Sequence, residues 1–315
     1  MAAVAGSDEN LLSRLFYKQD DPVAIALEDA FEGWLGLKVR TEFPSVTTRT
    51  RLSAAAFDAE YKQTRTPVIL QHALSEWPAL QRWSFEDLAQ RCADVVVTAN
   101  SYSICDDRQV RFADLVAQIR NGPRSGESAP YLQEWQFQKD CPFLLDDVGE
   151  LAYIADDAQK KLLGFHNAVL WIGARGARTR LHRDFAWMST FHAQIRGRKQ
   201  WILLHPDAVL RHRADGEPDF AGLVAGGRAK VFHCVLEPGE LLYVPYHWWH
   251  RVRTLEDGIS LSFHAVEEEC ARDHFRAVLG ALIELALNGD AMRVADPARH
   301  EIATRRFREY AKLLG

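Results

Sequence analysis

Two short stretches hold the residues best suited by type and spacing to do chemistry: His182-Arg-Asp184 and Pro245-Tyr-His-Trp-Trp-His250. On an extended segment the side chains of residues i and i+2 project from the same face, so His182 and Asp184 can reach one point. Two imidazoles and one carboxylate are a common donor set for a redox-capable iron(II), leaving coordination positions open for oxygen and a co-substrate. A histidine brought across from a distant strand would complete the set, and His250 follows the Glu237-Pro-Gly-Glu240 turn and the apolar run Leu241–Val244. The pair alone is weak. Asp184 read by itself is equally a turn residue, His182 a core imidazole, and His250 a ring packed among tryptophans.

A lysine adds to the pattern. Lys199 follows Gly197 and opens the apolar run Lys199–Leu204, where Lys199, Trp201 and Leu203 share a face. A lysine buried there needs an anion, since an unpaired charge in a dry interior costs several kcal/mol or is neutralised. The alternative is a solvated turn lysine, the commonest fate of that residue.

The elements that must position these residues are short. Ala168–Ile172, Met188–Ile195, Gln200–Leu204, Lys230–Leu236, Leu241–Val244 and Ile259–His264 read as strands separated by Gly, Pro or Asp turns. They predict a β-sandwich or barrel. Upstream, Val23–Leu35 and Ala54–Tyr61 read as helices, while Pro67–Leu70 and Val95–Thr98 read as strands. Ser84, with Asp87 three residues on, reads as a helix start, and Gly122–Ser128 as a polar loop. Downstream, Phe275, Val278, Leu279, Leu282, Ile283 and Ala286 form a helical stripe, with a second helix over Pro297–Leu314. The plan is a mainly β core with flanking helices, divided as residues 1–130, 131–268 and 269–315.

With 315 residues the chain can bury a substantial core, and 47% hydrophobic with 26% charged residues is ordinary for a globular protein. The net charge of −5 is mild, and no basic patch points to nucleic acid; the arginines of 175–183 suit a solvated loop. No apolar run approaches the roughly 20 residues of a membrane span, and Met1–Leu11 lacks a signal pattern. Five scattered cysteines, Cys92, Cys105, Cys141, Cys234 and Cys270, have no CxxC spacing. They argue against a disulfide framework or structural zinc and for a reducing compartment, hence a cytoplasmic location.

Three segments in order, Thr179-Arg-Leu-His-Arg-Asp184, Ala193-Gln-Ile-Arg-Gly-Arg-Lys199-Gln-Trp-Ile-Leu203 and Gly239-Glu-Leu-Leu-Tyr-Val-Pro-Tyr-His-Trp-Trp-His250, resemble the central motifs of the JmjC-type oxygenases. Thr66–Leu70, Trp83-Ser84 and Tyr131-Leu-Gln133 resemble the N-terminal landmarks of the small hydroxylases in that group, so the likeness covers roughly residues 43–266. It implies a double-stranded β-helix (jelly-roll or cupin) core and an iron(II) site at His182, Asp184 and His250. It also implies 2-oxoglutarate as co-substrate with O2, its far carboxylate paired with Lys199 and hydrogen-bonded by Thr179 and Tyr131. His247 is by motif position a pocket-lining or surface residue. The chain departs from the family where several members carry asparagine near the metal-binding end of the 2-oxo acid. Here His192 and His264 occupy those offsets, with Ser262 on the same side; the departure bears on the orientation of the co-substrate rather than on its use.

The implied reaction is hydroxylation of an unactivated C–H bond, or demethylation by the same step at an N-methyl group. With no reader or zinc-finger module beside the motifs, a protein or peptide hydroxylase is the favoured expectation. A small-molecule tailoring oxygenase and a non-catalytic cupin-like metal-binding protein are the alternatives. Trp135, Trp187, Trp248 and Trp249 fall near the motifs, with Trp187 in a plausible substrate-facing loop. The C-terminal helices are expected either to cap the barrel or to form a homodimer interface.

Overall fold

A computed structural model of the chain describes residues 44–99, 108–122, 129–154, 167–184, 187–206, 231–277 and 279. Its centre is two facing sheets. The larger has seven strands in the order β1 (Thr47–Thr50), β2 (Val68–Gln71), β11 (Leu241–Val244), β8 (Met188–Arg196), β13 (Gly258–Val266), β6 (Asn167–Gly173) and β5 (Tyr131–Trp135). The smaller has four, in the order β10 (Val231–Leu236), β9 (Lys199–Leu204), β12 (Trp249–Thr254) and β7 (Arg178–His182). From β6 to β13 the chain passes back and forth between the two sheets, and every pairing in this run is antiparallel. This is the double-stranded β-helix, and each expected core strand is present. β1 and β2, from the N-terminal region, extend the larger sheet beyond β11.

The larger sheet is buried on both faces, which is why β8 reads as nearly continuous buried residues rather than an alternation. On its inner face Leu242 and Val244 pack with Trp201, Leu203 and Val252 of the smaller sheet. On its outer face Phe191, Tyr243, Leu261 and Phe263 meet an N-terminal layer that includes Phe57, Trp77, Trp83 and Leu88. In that layer the helix over Ala54–Phe57 continues as a wider turn through Lys62, close to the expected Ala54–Tyr61 helix. Ser84 caps the helix Phe85–Arg91, its hydroxyl accepting from the Asp87 amide at 3.0 Å, while the Asp87 carboxylate accepts from Arg91. A separate hairpin pairs β3 (Val96–Ala99) with β4 (Arg108–Arg111).

Gly197 sits in the turn that feeds Lys199 into the barrel. Its φ is +65°, and a Cβ there would lie 2.2 Å from the Asp257 carbonyl oxygen, so only glycine fits. Cys92 and Cys141 are buried thiols with Sγ atoms 3.0 Å apart, and the other described cysteines, Cys234 and Cys270, are also free. A helix begins at residue 271. Val23–Leu35, most of the 275–286 stripe and Pro297–Leu314 lie outside the described residues. No described helix is long and apolar enough to cross a membrane.

Candidate metal centre

β7 and β12 are neighbours, and their register sets His182 opposite His250. Asp184 lies two residues beyond β7. The three side chains offer ligand atoms that all lie within 4.8 Å of one another, and Asp184 Oδ1 is 3.7 Å from Nε2 of both His182 and His250. His250 Nδ1 lies 3.2 Å from the Trp248 carbonyl. A carbonyl only accepts, so the ring carries its proton on Nδ1 and leaves Nε2 bare toward Asp184. Burial, with His182 beside it, drops the His250 pKa to about 4, so the ring is neutral at pH 7. Burial alone would raise the Asp184 carboxyl. The imidazoles of His250, His264 and His182, with the Thr190 hydroxyl, outweigh it and hold the group ionised. Two imidazoles and a carboxylate converging on one point fit iron(II).

Inside the barrel, β8 and β13 form three rungs leading away from this group: Thr190 opposite His264, His192 opposite Ser262, and Gln194 opposite Ser260. At the near rung Thr190 Oγ1 bonds Asp184 Oδ2 and lies 3.1 Å from His264 Nδ1. At the middle rung His192 Nδ1 lies 2.8 Å from Ser262 Oγ. At the far rung Ser260 Oγ accepts from Lys199 Nζ at 2.7 Å, and the Tyr131 hydroxyl is 3.4 Å from the same ammonium. Tyr131 also bonds Thr179. Lys199 is 1% exposed, and burial brings its pKa down to about 7. His192, 3% exposed, is held well below the usual histidine range by burial and then by Lys199, so it stays a neutral imidazole.

Several buried donors in this interior lack an acceptor. Among the described residues Lys199 has no carboxylate partner, and the buried Nε1 atoms of Trp171 and Trp201 lack hydrogen-bond partners, as does His192 Nε2. The Trp201 ring lies 4.7 Å from His192 and 5.8 Å from His250, and the Lys199 ammonium is 5.8 Å from the Trp171 ring. Buried donors without acceptors are costly, and an anionic ligand would satisfy them. The residues therefore fit a dianionic co-substrate as well as a metal.

Residues 54–265 match the family described as a cupin-like domain. The chain belongs to the cupin-like JmjC oxygenases. It is 25% identical over 254 residues to arginine-specific demethylase JMJ22 of Arabidopsis thaliana, covering 74% of this chain and 49% of that protein. It is 27% identical over 240 residues to lysine-specific demethylase JMJ30 of the same plant, covering 69% and 54%. Lysine-specific demethylase 8 of Xenopus tropicalis is 27% identical over 227 residues, covering 66% and 49%. The chain thus spans about half the length of these relatives.

JmjC oxygenases depend on iron(II) and 2-oxoglutarate, and the His-Asp-His group fits that requirement. Every site residue expected from the sequence lies in or beside this barrel interior. His264 belongs to the metal end through Thr190, while His192 lies one rung deeper. His247 stands apart from the three-residue group and packs edge-on against Trp187 at 5.3 Å and Tyr246 at 5.1 Å. Trp187 and His247 both have left-handed backbones, φ 58° and 68°, each three residues from a member of the metal group. Trp248 is buried, its indole nitrogen donating to the Arg65 carbonyl, and Trp135 donates to Asp140; both are structural. Thr190, Ser260 and Trp171 were missed. Thr190 and Ser260 alternate with the expected site residues His192 on β8 and Ser262 on β13, which was the available signal; Trp171 on β6 had none.

Proposed function

We propose that the chain is an iron(II)- and 2-oxoglutarate-dependent dioxygenase that hydroxylates an unactivated C–H bond on a protein or peptide side chain. The observation that carries this reading is a His-Asp-His group opening into the same barrel interior as a buried lysine without a carboxylate partner among the described residues. His182, Asp184 and His250 would hold the iron. When bound, the metal supplies coupled oxidation, in which 2-oxoglutarate and O2 become succinate and carbon dioxide while one oxygen atom enters the substrate C–H bond.

The remaining work falls to the chain. Leu203, opposite His250, and Lys199 are four positions apart on β9, roughly 13 Å of strand. A lysine leaning along the strand and a five-carbon dicarboxylate together span that length. Lys199, Tyr131 and Thr179 would grip the far carboxylate. His192, Ser262 and His264 line the path between, and the Trp171 and Trp201 rings exclude water.

A second reading, demethylation, is favoured by the names of the relatives, which are demethylases acting on arginine or lysine. It is the same oxygen insertion at an N-methyl carbon followed by loss of formaldehyde. Iron-dependent conversion of 2-oxoglutarate to succinate tests the oxygenase. A gain of one oxygen in a recovered peptide, against release of formaldehyde, separates the two outcomes. Absence of both turnover and 2-oxoglutarate binding would leave only a non-catalytic metal-binding protein.

A further inference from the structure

Thr190 is the point where the metal group meets the rest of the barrel. It is 3% exposed on β8, and its hydroxyl touches Asp184 Oδ2 on one side and His264 Nδ1, at 3.1 Å, on the other. A hydroxyl has one proton to donate. A carboxylate only accepts, so that proton goes to Asp184, and toward His264 the same oxygen can only accept. Proton counting then places a hydrogen on His264 Nδ1. The two oxygens of Asp184 are meanwhile divided. Oδ1 is the atom 3.7 Å from both His182 Nε2 and His250 Nε2, and Oδ2 is occupied by Thr190.

We infer that Thr190 is a positioning residue that holds Asp184 to one-oxygen coordination and sets the His264 tautomer, keeping an additional coordination position open at the metal. This rests on the metal-centre reading of His182, Asp184 and His250. Without the hydroxyl, Oδ2 is free to turn toward the ion, closing a position that the co-substrate or oxygen requires. His264 would also lose the acceptor that fixes its ring.

The test uses the full chain and cobalt(II) alone, so it does not depend on turnover or on 2-oxoglutarate. Thr190→Val keeps the shape and removes the hydroxyl, and Thr190→Ser keeps the hydroxyl and removes the methyl group. Loss of a group that orients a metal ligand typically lowers metal affinity about 10–100-fold. Thr190→Val is expected to lose affinity in that range and to show a visible cobalt spectrum of higher coordination number. Thr190→Ser is expected to restore both. Long-range proton–nitrogen NMR of histidine-labelled wild type should show His264 protonated at Nδ1. The inference is overturned if Thr190→Val keeps wild-type affinity and spectrum, if Thr190→Ser behaves like Thr190→Val, or if His264 carries its proton on Nε2. Failure of wild type itself to bind cobalt would instead overturn the metal centre.

Discussion

At the scale of single residues the site separates two jobs. His182, Asp184 and His250 converge on one point, and Lys199 stands at the far end of the barrel without a carboxylate partner among the described residues. His182→Ala or Asp184→Ala is expected to abolish iron-dependent succinate formation while the circular dichroism stays that of a folded protein. Unchanged turnover would move the metal elsewhere. Lys199 gives a pH-dependent expectation. Its pKa in the ligand-free protein is about 7, lowered by burial, and a bound dicarboxylate favours the charged form. Binding of 2-oxoglutarate at pH 8 should therefore take up close to one proton, and affinity should fall toward tenfold per pH unit above 7. Calorimetry in two buffers of different ionisation enthalpy measures this; proton release would contradict it. The ligands were legible in the sequence because the weak His182–Asp184 pair stands in order with the Lys199 and Trp-Trp-His250 segments. Thr190 and Ser260 were not, because a hydroxyl on a strand looks the same whether it fills space or holds a charged partner.

At the scale of elements, what matters is how strands and turns aim side chains. The expected strands were those with apolar runs. β7, Arg-Thr-Arg-Leu-His, and β12, Trp-His-Arg-Val-Arg-Thr, went unread as strands because polar and charged residues break their alternation. Their identity comes from pairing with each other and, for β12, with β9, a nonlocal fact. Gly197 illustrates the turn. Gly197→Ala places a Cβ against backbone at a positive φ and should cost on the order of 1–3 kcal/mol. It should also weaken 2-oxoglutarate binding, because Lys199 follows two residues on; wild-type thermal stability in that variant would contradict the strain. Asp147 ties the N-terminal helices to the Pro142–Asp147 turn, accepting from Arg82 at 2.8 Å, Arg91 at 2.7 Å and Trp83 Nε1 at 2.9 Å. In Asp147→Ala the guanidinium groups can turn to water, whereas the Trp83 nitrogen is left buried. The expected loss is therefore that of one unsatisfied donor, about 1–3 kcal/mol by denaturant titration, not that of a broken buried ion pair. Asp147 is held below the usual carboxylate range despite its burial, by Arg91, Trp83 and Arg82, so this contribution is present at neutral pH and fades as pH falls below 4.

At the scale of the whole molecule, one sheet packed on both faces provides a wall, and the second sheet closes over it around a row of inward polar side chains in an otherwise apolar barrel. The sequence made this architecture legible through its strand rhythm and its motifs, because two-sheet β-helices need short strands with tight turns. Of the N-terminal strands widening the larger sheet, β2 was expected from Pro67–Leu70, whereas β1, Thr-Thr-Arg-Thr, has no apolar alternation to mark it. The division of the chain at residues 130 and 268 remains our proposal for where the catalytic core begins and ends. The central claim, one cavity binding iron at one end and a dicarboxylate at the other, is tested most directly by anaerobic titration of the metal-free protein with iron(II) and then 2-oxoglutarate, following the visible charge-transfer absorption that a 2-oxo acid chelated to iron(II) produces. Wild type is expected to develop the band, Lys199→Ala to need much more 2-oxoglutarate to reach it, and Asp184→Ala to show none. A wild-type protein that gives no band, or an Asp184→Ala variant that gives the full one, would contradict the account.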